Sequence, residues 1–157
     1  MLSPPLAWYH VNTCIVHVPE PIFNNECSVG PRDWGEEIML THVTGSYTFK
    51  KLLIKKGCKG GLQYHRFKDE SGYLVSGKLI LRYADASNNL QERVLVPGDS
   101  FHFPPFAIHQ EEALEDCVIL EASNPVFNDR IRCESDFNIS DQGEGLPSSA
   151  ESDIIFK

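Results

Sequence analysis

Residues 60–77 read GGLQYHRFKDESGYLVSG: a glycine pair, then a Gln, a His and a Glu, then a strand-like run closed by another glycine. Gln63 and His65 stand two apart. Side chains alternate across a strand with period two, so both project from one face. Glu70 follows five residues after His65, across the polar turn RFKDE. Downstream, PGDSFHFPPFAIH at 97–109 delivers His109 after a second strand and a proline turn. In a closed double sheet two such segments can lie side by side. Gln63, His65, Glu70 and His109 are then four ligand-capable side chains that converge inside a barrel.

The rest of the chain supports a barrel. Helical periodicity is scarce, and short β-rich runs recur between turn residues. The expected strands are 13–18, 37–43, 47–55, 61–66, 73–83, 91–96, 100–103 and 117–123. Breakers such as KKGCKGG, DASNN, PGD and FPPFA separate them. About eight short strands predict an all-β double-sheet jelly roll. The Pro- and Asn-rich residues 1–30 are expected to wrap the barrel or to pair with a second subunit. Residues 138–157, which contain SDQGEGLPSSAESD, are polar and acidic and read as a mobile tail.

Composition narrows the function. A net charge of −8 argues against a nucleic-acid partner, which usually needs a basic footprint. No apolar run approaches the roughly 20 residues that span a bilayer. The stretch MLSPPLAWYHVNTC lacks the basic and apolar regions of a signal peptide. The five cysteines are scattered without C-x-x-C spacing, which fits a reducing, cytoplasmic setting and not a disulfide framework.

The donor set suits a divalent metal. Imidazoles accept zinc, iron, nickel or manganese, and carboxylate and amide oxygens make the site harder. His10, His17, His42 and His102 have no comparable partners and read as structural or exposed. Trp34 reads as a packing anchor. Arg130 and Arg132, set among acids in NDRIRCESDF, read as paired surface charges.

Residues 63–77 also resemble the first cupin motif, H-x-H-x4-E followed by Gly, with Gln63 at the first His position. The 97–109 segment resembles the second, with Gly98, Pro104 and His109 in place and Phe106 where Gly is usual. PRDWGEE at 31–37, KKLLIKKGCKGGLQYHRFKDESGYLVSG at 50–77, FPPFAIH at 103–109 and LEASNPVFNDRIRCESDF at 120–137 together resemble the cupin domain of type II mannose-6-phosphate isomerases. The resemblance spans roughly residues 31–137 and implies a cupin double-stranded β-helix with a bound metal. Phe67, Lys68 and Gly72 depart from it, standing where the isomerases usually carry His, Arg and Trp.

These readings converge on a metal-dependent sugar or sugar-phosphate isomerase or epimerase, with zinc the favoured ion. Gln63, His65, Glu70 and His109 would hold the metal. Lys68, Tyr73 and Tyr47 are candidates for proton transfer, and Lys50 and Arg82 for holding an anionic substrate. The alternatives are a metal-dependent oxygenase or lyase on a small organic acid, and a non-catalytic sugar-binding protein. A homodimer is expected, with residues 1–30 contributing an exchanged strand.

Overall fold

The computed structural model describes residues 20–23, 27–41, 45–141 and 143–157. Its first strands are β1 (Ser28–Arg32), β2 (Gly35–Met39), β3 (Thr48–Ile54), β4 (Gln63–Tyr64) and β5 (Glu70–Ser76). Next come β6 (Leu79–Ala84), β7 (Leu90–Leu95), β8 (Ser100–Phe103) and β9 (His109–Ala113). The chain ends with β10 (Cys117–Ser123), β11 (Val126–Phe127), β12 (Ile131–Arg132) and β13 (Ile155–Phe156). One sheet runs β1-β2-β3-β10-β5-β8 and a second runs β12-β4-β9-β6-β7, every pairing antiparallel. This is the expected all-β double sheet. No helix among the described residues is long and apolar enough to cross a membrane.

The inward faces of the strands are divided along their length. On β3 they read Thr48, Lys50, Leu52 and Ile54, and on β10, running the other way, Cys117, Ile119, Glu121 and Ser123. The register sets Ile54 against Cys117 and Lys50 against Glu121. Apolar residues therefore gather at one end and polar ones at the other. Ile54, Leu74, Leu79, Leu81, Leu95, Phe103, Ala113, Cys117 and Ile119 form the core. Burying a Leu or Ile contributes roughly 1.5–3 kcal/mol, so this end supplies the stability that lets the other end stay polar.

Several boundaries differ from expectation. The run 73–83 is two strands, because Gly77 turns at φ +90° between β5 in one sheet and β6 in the other. A side chain there would collide with the backbone of Asp116 and Cys117. β9 was not expected as a strand, since HQEEA is too polar to show apolar alternation. The expected strand at 13–18 lies outside the described residues, while Ser28–Arg32 pairs with β2 inside the barrel sheet.

The C-terminal segment is docked in the structure, in contrast to the tail expected there. β13 pairs with β11, Ser149 N donates to Arg130 O at 2.8 Å, and Glu144 N donates to Lys59 O at 2.8 Å. The segment's backbone supplies these bonds, so its polar composition does not set it free.

Candidate metal centre

His65 follows β4 directly, Glu70 opens β5 and His109 opens β9. The β4–β9 pairing sets Gln63 opposite His109, which draws the two sequence motifs together. Nε2 of His65 and Nε2 of His109 each lie 3.3 Å from Oε1 of Glu70. Both imidazoles are oriented from behind: Nδ1 of His109 donates to Ala107 O at 2.9 Å, and Nδ1 of His65 donates to Asp129 O. A carbonyl can only accept, so both rings carry a proton on Nδ1 and turn Nε2, the atom that would ligate a metal once free of a proton, toward Glu70. The Phe103 ring stacks on His109 with centroids 4.0 Å apart and fixes its plane.

The other oxygen of Glu70 has a different partner. Oε2 accepts from the Lys68 ammonium, which also donates to Glu121 Oε1 at 3.0 Å. Lys50 Nζ lies 3.4 Å from Glu121 Oε1 and 3.5 Å from Glu37 Oε1. Burial opposes the charge on Lys68, but Glu121 and Glu70 overcome it and raise the pKa above the ordinary lysine value. Burial likewise opposes ionisation of Glu70, while Lys68, His109 and His65 hold its pKa well below the usual range. For His109, burial is offset by the hydrogen bond to Glu70 and by the charges of Glu111 and Glu70, and the pKa is raised.

These groups open into a cavity of about 220 Å³. Gln63, His65, Lys68, Glu70 and His109 line it, together with Lys50, Glu111 and Glu121. Trp34, Leu52 and Ile54 form an apolar wall, and Glu144, Gly145 and Leu146 of the docked C-terminal segment close another side. Burial raises the Glu111 pKa, Glu70 and Glu121 add to that, and His109 opposes it.

Of the expected site residues, the structure brings Gln63, His65, Lys68, Glu70, His109 and Lys50 into this one cavity. Tyr73, Tyr47 and Arg82 lie elsewhere. On β5 the inward positions are Glu70, Gly72 and Leu74, so Tyr73 faces out and is 47% exposed. Tyr47 precedes β3 and is 51% exposed. Arg82 pairs on the outer side with Glu92 and Glu112, each at 2.6 Å. Arg132 is paired as expected, with Glu134, but Arg130 lines the cavity and makes no ion pair among the described residues.

Glu111 and Glu121 went unnoticed in the sequence. Period two from His109 points to Glu111, and period two from Cys117 through Ile119 points to Glu121. Gly72, a departure from the isomerase pattern, and Phe106, a departure from the second cupin motif, each have a local setting. The Phe101 ring fills the space where a side chain at Gly72 would stand. Phe106 adopts φ +69°, the left-handed conformation that explains why glycine is usual there.

No protein-family model matches the sequence, and no curated protein sequence matches it. Solved structures do match. KdgF from Halomonas sp. aligns with TM-score 0.51 and 25% identity over 57% of this chain and 79% of its own. An RmlC-like cupin from Shewanella frigidimarina aligns with TM-score 0.56 and 21% identity over 69% of this chain and 92% of its own. The chain has the cupin fold. The capsular polysaccharide assembling protein CapF from Staphylococcus aureus aligns at TM-score 0.58 and 20% identity over 65% of this cupin, which spans only 30% of the CapF chain.

In this chain two imidazole nitrogens and a carboxylate oxygen lie within 4.8 Å of one another, all buried. That donor set fits a divalent metal, and the hydrogen bonds from Nδ1 that turn both Nε2 atoms inward fit it too. His65, Glu70 and His109 are the residues that would hold it, with the Gln63 amide beside them as a weaker oxygen donor.

Proposed function

We propose that this cupin is a metal-dependent enzyme of the isomerase or epimerase class, moving a proton between neighbouring carbons of a small sugar or sugar phosphate. One observation carries the reading. The His65–Glu70–His109 donor set lies in a polar cavity whose walls also hold a firm ammonium and separate carboxyl groups. The volume, about 220 Å³, falls below the roughly 300–1,000 Å³ of sites for drug-sized ligands and suits a few-carbon substrate.

A bound divalent ion, zinc by preference, would supply a Lewis acid for a carbonyl and its neighbouring hydroxyl. The chain's own groups divide the remaining tasks. Lys68 stays protonated, so it serves as fixed positive charge beside a developing oxyanion and does not accept a proton. Glu70 is committed to the imidazoles and to Lys68. Glu111 shares the inward face of β9 with His109 and is the carboxyl best placed to carry a proton to or from the substrate. Trp34, Leu52 and Ile54 keep water from that side. The likeness to CapF, a capsular polysaccharide assembling protein, adds a carbohydrate context.

A screen of the metal-loaded protein against aldoses, their phosphates and small organic acids tests the proposal. Turnover of a sugar, abolished in Glu111→Gln with metal content unchanged, is the expected result. Failure to turn over any aldose or sugar phosphate with stoichiometric metal bound would sink it.

A second reading has its own support. Two His and one carboxylate are also the donor set of non-haem Fe(II) oxygenases. Iron in the purified protein, with oxygen uptake on a small organic acid, would favour that reading. A homodimer belongs to either reading, and light scattering tests it.

A further inference from the structure

Among the charges that line the cavity, one cation stands apart. Lys50 lies near Glu37 and Glu121, Lys68 donates to Glu70 and Glu121, and Arg32 Nη2 lies 3.6 Å from Glu37 Oε2. Arg130 has no hydrogen bond or ion pair from its guanidinium to any described residue, although it is half-buried and faces the same space. Arg32 and Arg132 act on it with like charge, and Glu37, already shared by Arg32 and Lys50, offsets them in part. Burial comes first among the forces that pull its pKa below the ordinary arginine value, and those two guanidiniums add to it. A half-buried cation with cationic neighbours costs stability unless an anion completes it.

The position is built, not incidental. Arg130 lies between β11 and β12, and its carbonyl accepts from Ser149 N at 2.8 Å. Arg66 Nη2 donates to Ser149 O at 2.8 Å and ties the same C-terminal strap to the loop that carries Lys68. The backbone is therefore pinned while the guanidinium stays open to the cavity. A planar guanidinium favours two-point contact with an oxyanion, which a lysine does not reproduce.

We propose that Arg130 forms an oxyanion-binding subsite, and that the substrate carries a carboxylate or a phosphate at the end remote from His65, Glu70 and His109. The inference rests on the substrate reading above and narrows it from sugars in general to anionic ones. Lys50 and Lys68 do not fill this role, because both are already engaged by carboxylates.

Calorimetric titration of the metal-loaded protein with D-gluconate, D-glucose 6-phosphate and D-glucose tests it. The wild type should bind at least one anion about tenfold or more tightly than glucose, and the preference between gluconate and the phosphate ester identifies which oxyanion is taken. Arg130→Ala and Arg130→Gln should each weaken anion binding at least tenfold and leave glucose binding unchanged, with Arg130→Lys recovering only part. Metal content and the thermal midpoint of each variant serve as the folding control. Equal binding of anion by wild type and a folded Arg130→Gln protein overturns the inference. Absence of any preference for an anion in the wild type overturns it too. Arg130-dependent anion binding without turnover would sink the isomerase reading alone, whereas turnover of a sugar phosphate with kcat and KM untouched by Arg130→Gln would sink only the subsite.

Discussion

Glu70 and His109 meet through a single oxygen: Oε1 lies 3.3 Å from Nε2 of His109, and Oε2 is left to the ammonium of Lys68. One carboxylate thus faces the two imidazoles of the candidate metal centre on one side and a fixed cation on the other. Removing His109 or His65 takes away a convergent lone pair but leaves the apolar end of the barrel untouched. His65→Ala and His109→Ala should each lose metal while the strand signature in circular dichroism persists. Full metal occupancy in either variant, read by elemental analysis, would show that the residue is not a ligand.

Lys68 links two buried carboxylates, and its loss should be felt as stability. Lys68→Met leaves Glu70 and Glu121 without their shared ammonium, and breaking a buried pair from one side costs about 3–5 kcal/mol. The sign of the pH dependence follows from the shifts. The Lys68 pKa is raised on folding, so its contribution is complete below the unfolded value near 10.4 and fades as pH rises through the folded one. Glu70 is depressed, so its contribution is complete above the unfolded value near 4.3 and fades in acid. In metal-free protein the gap between wild type and Lys68→Met should therefore be widest from about pH 5 to 9 and shrink below about pH 4. Urea denaturation at a series of pH values measures it, and a gap that grows in acid contradicts the assignment.

Asp129 holds the loop that carries Lys68. Its Oδ2 accepts from Phe67 N at 2.6 Å and Lys68 N at 2.9 Å, while its own carbonyl orients His65. Burial opposes its ionisation, but the amides of Phe67, Lys68 and Arg66 prevail and lower its pKa. Asp129→Ala should cost about 1–3 kcal/mol by stranding those amides. It should also weaken metal binding, because the turn that orients His65 loosens. Asp129→Asn, which keeps an accepting oxygen, should lose less. Equal losses for Ala and Asn would remove the hydrogen bonds as the cause.

The C-terminal strap is part of the cavity wall through Glu144, Gly145 and Leu146. Gly145 packs beside the Trp34 indole, so a Cβ there would lie 3.7 Å from Nε1. Deleting residues 143–157 should expose Trp34, shift its fluorescence to longer wavelength and weaken ligand binding. Metal should still bind, since no proposed ligand lies in the deleted segment. Unchanged fluorescence and unchanged ligand affinity would show that the strap is dispensable.

The sequence by itself determined the double sheet and named most of the residues that the candidate metal centre brings together. Period-two alternation set Gln63 and His65 on one face, and turn residues marked most of the strands. Both follow from local geometry, which a chain carries along its length. The tertiary structure decided what alternation cannot reach. Glu121 meets Lys50 and Lys68 only because β10 lies between β3 and β5. Tyr73 and Arg82 proved to face outward, and Arg130 proved unpaired among the described residues, because strand phase and loop closure settle which side of a sheet a residue occupies. The acidic residues after 138 looked unable to order themselves, yet their backbone found partners on Lys59, Arg130 and β11. Those hydrogen bonds depend on an assembled barrel edge, and composition does not record one.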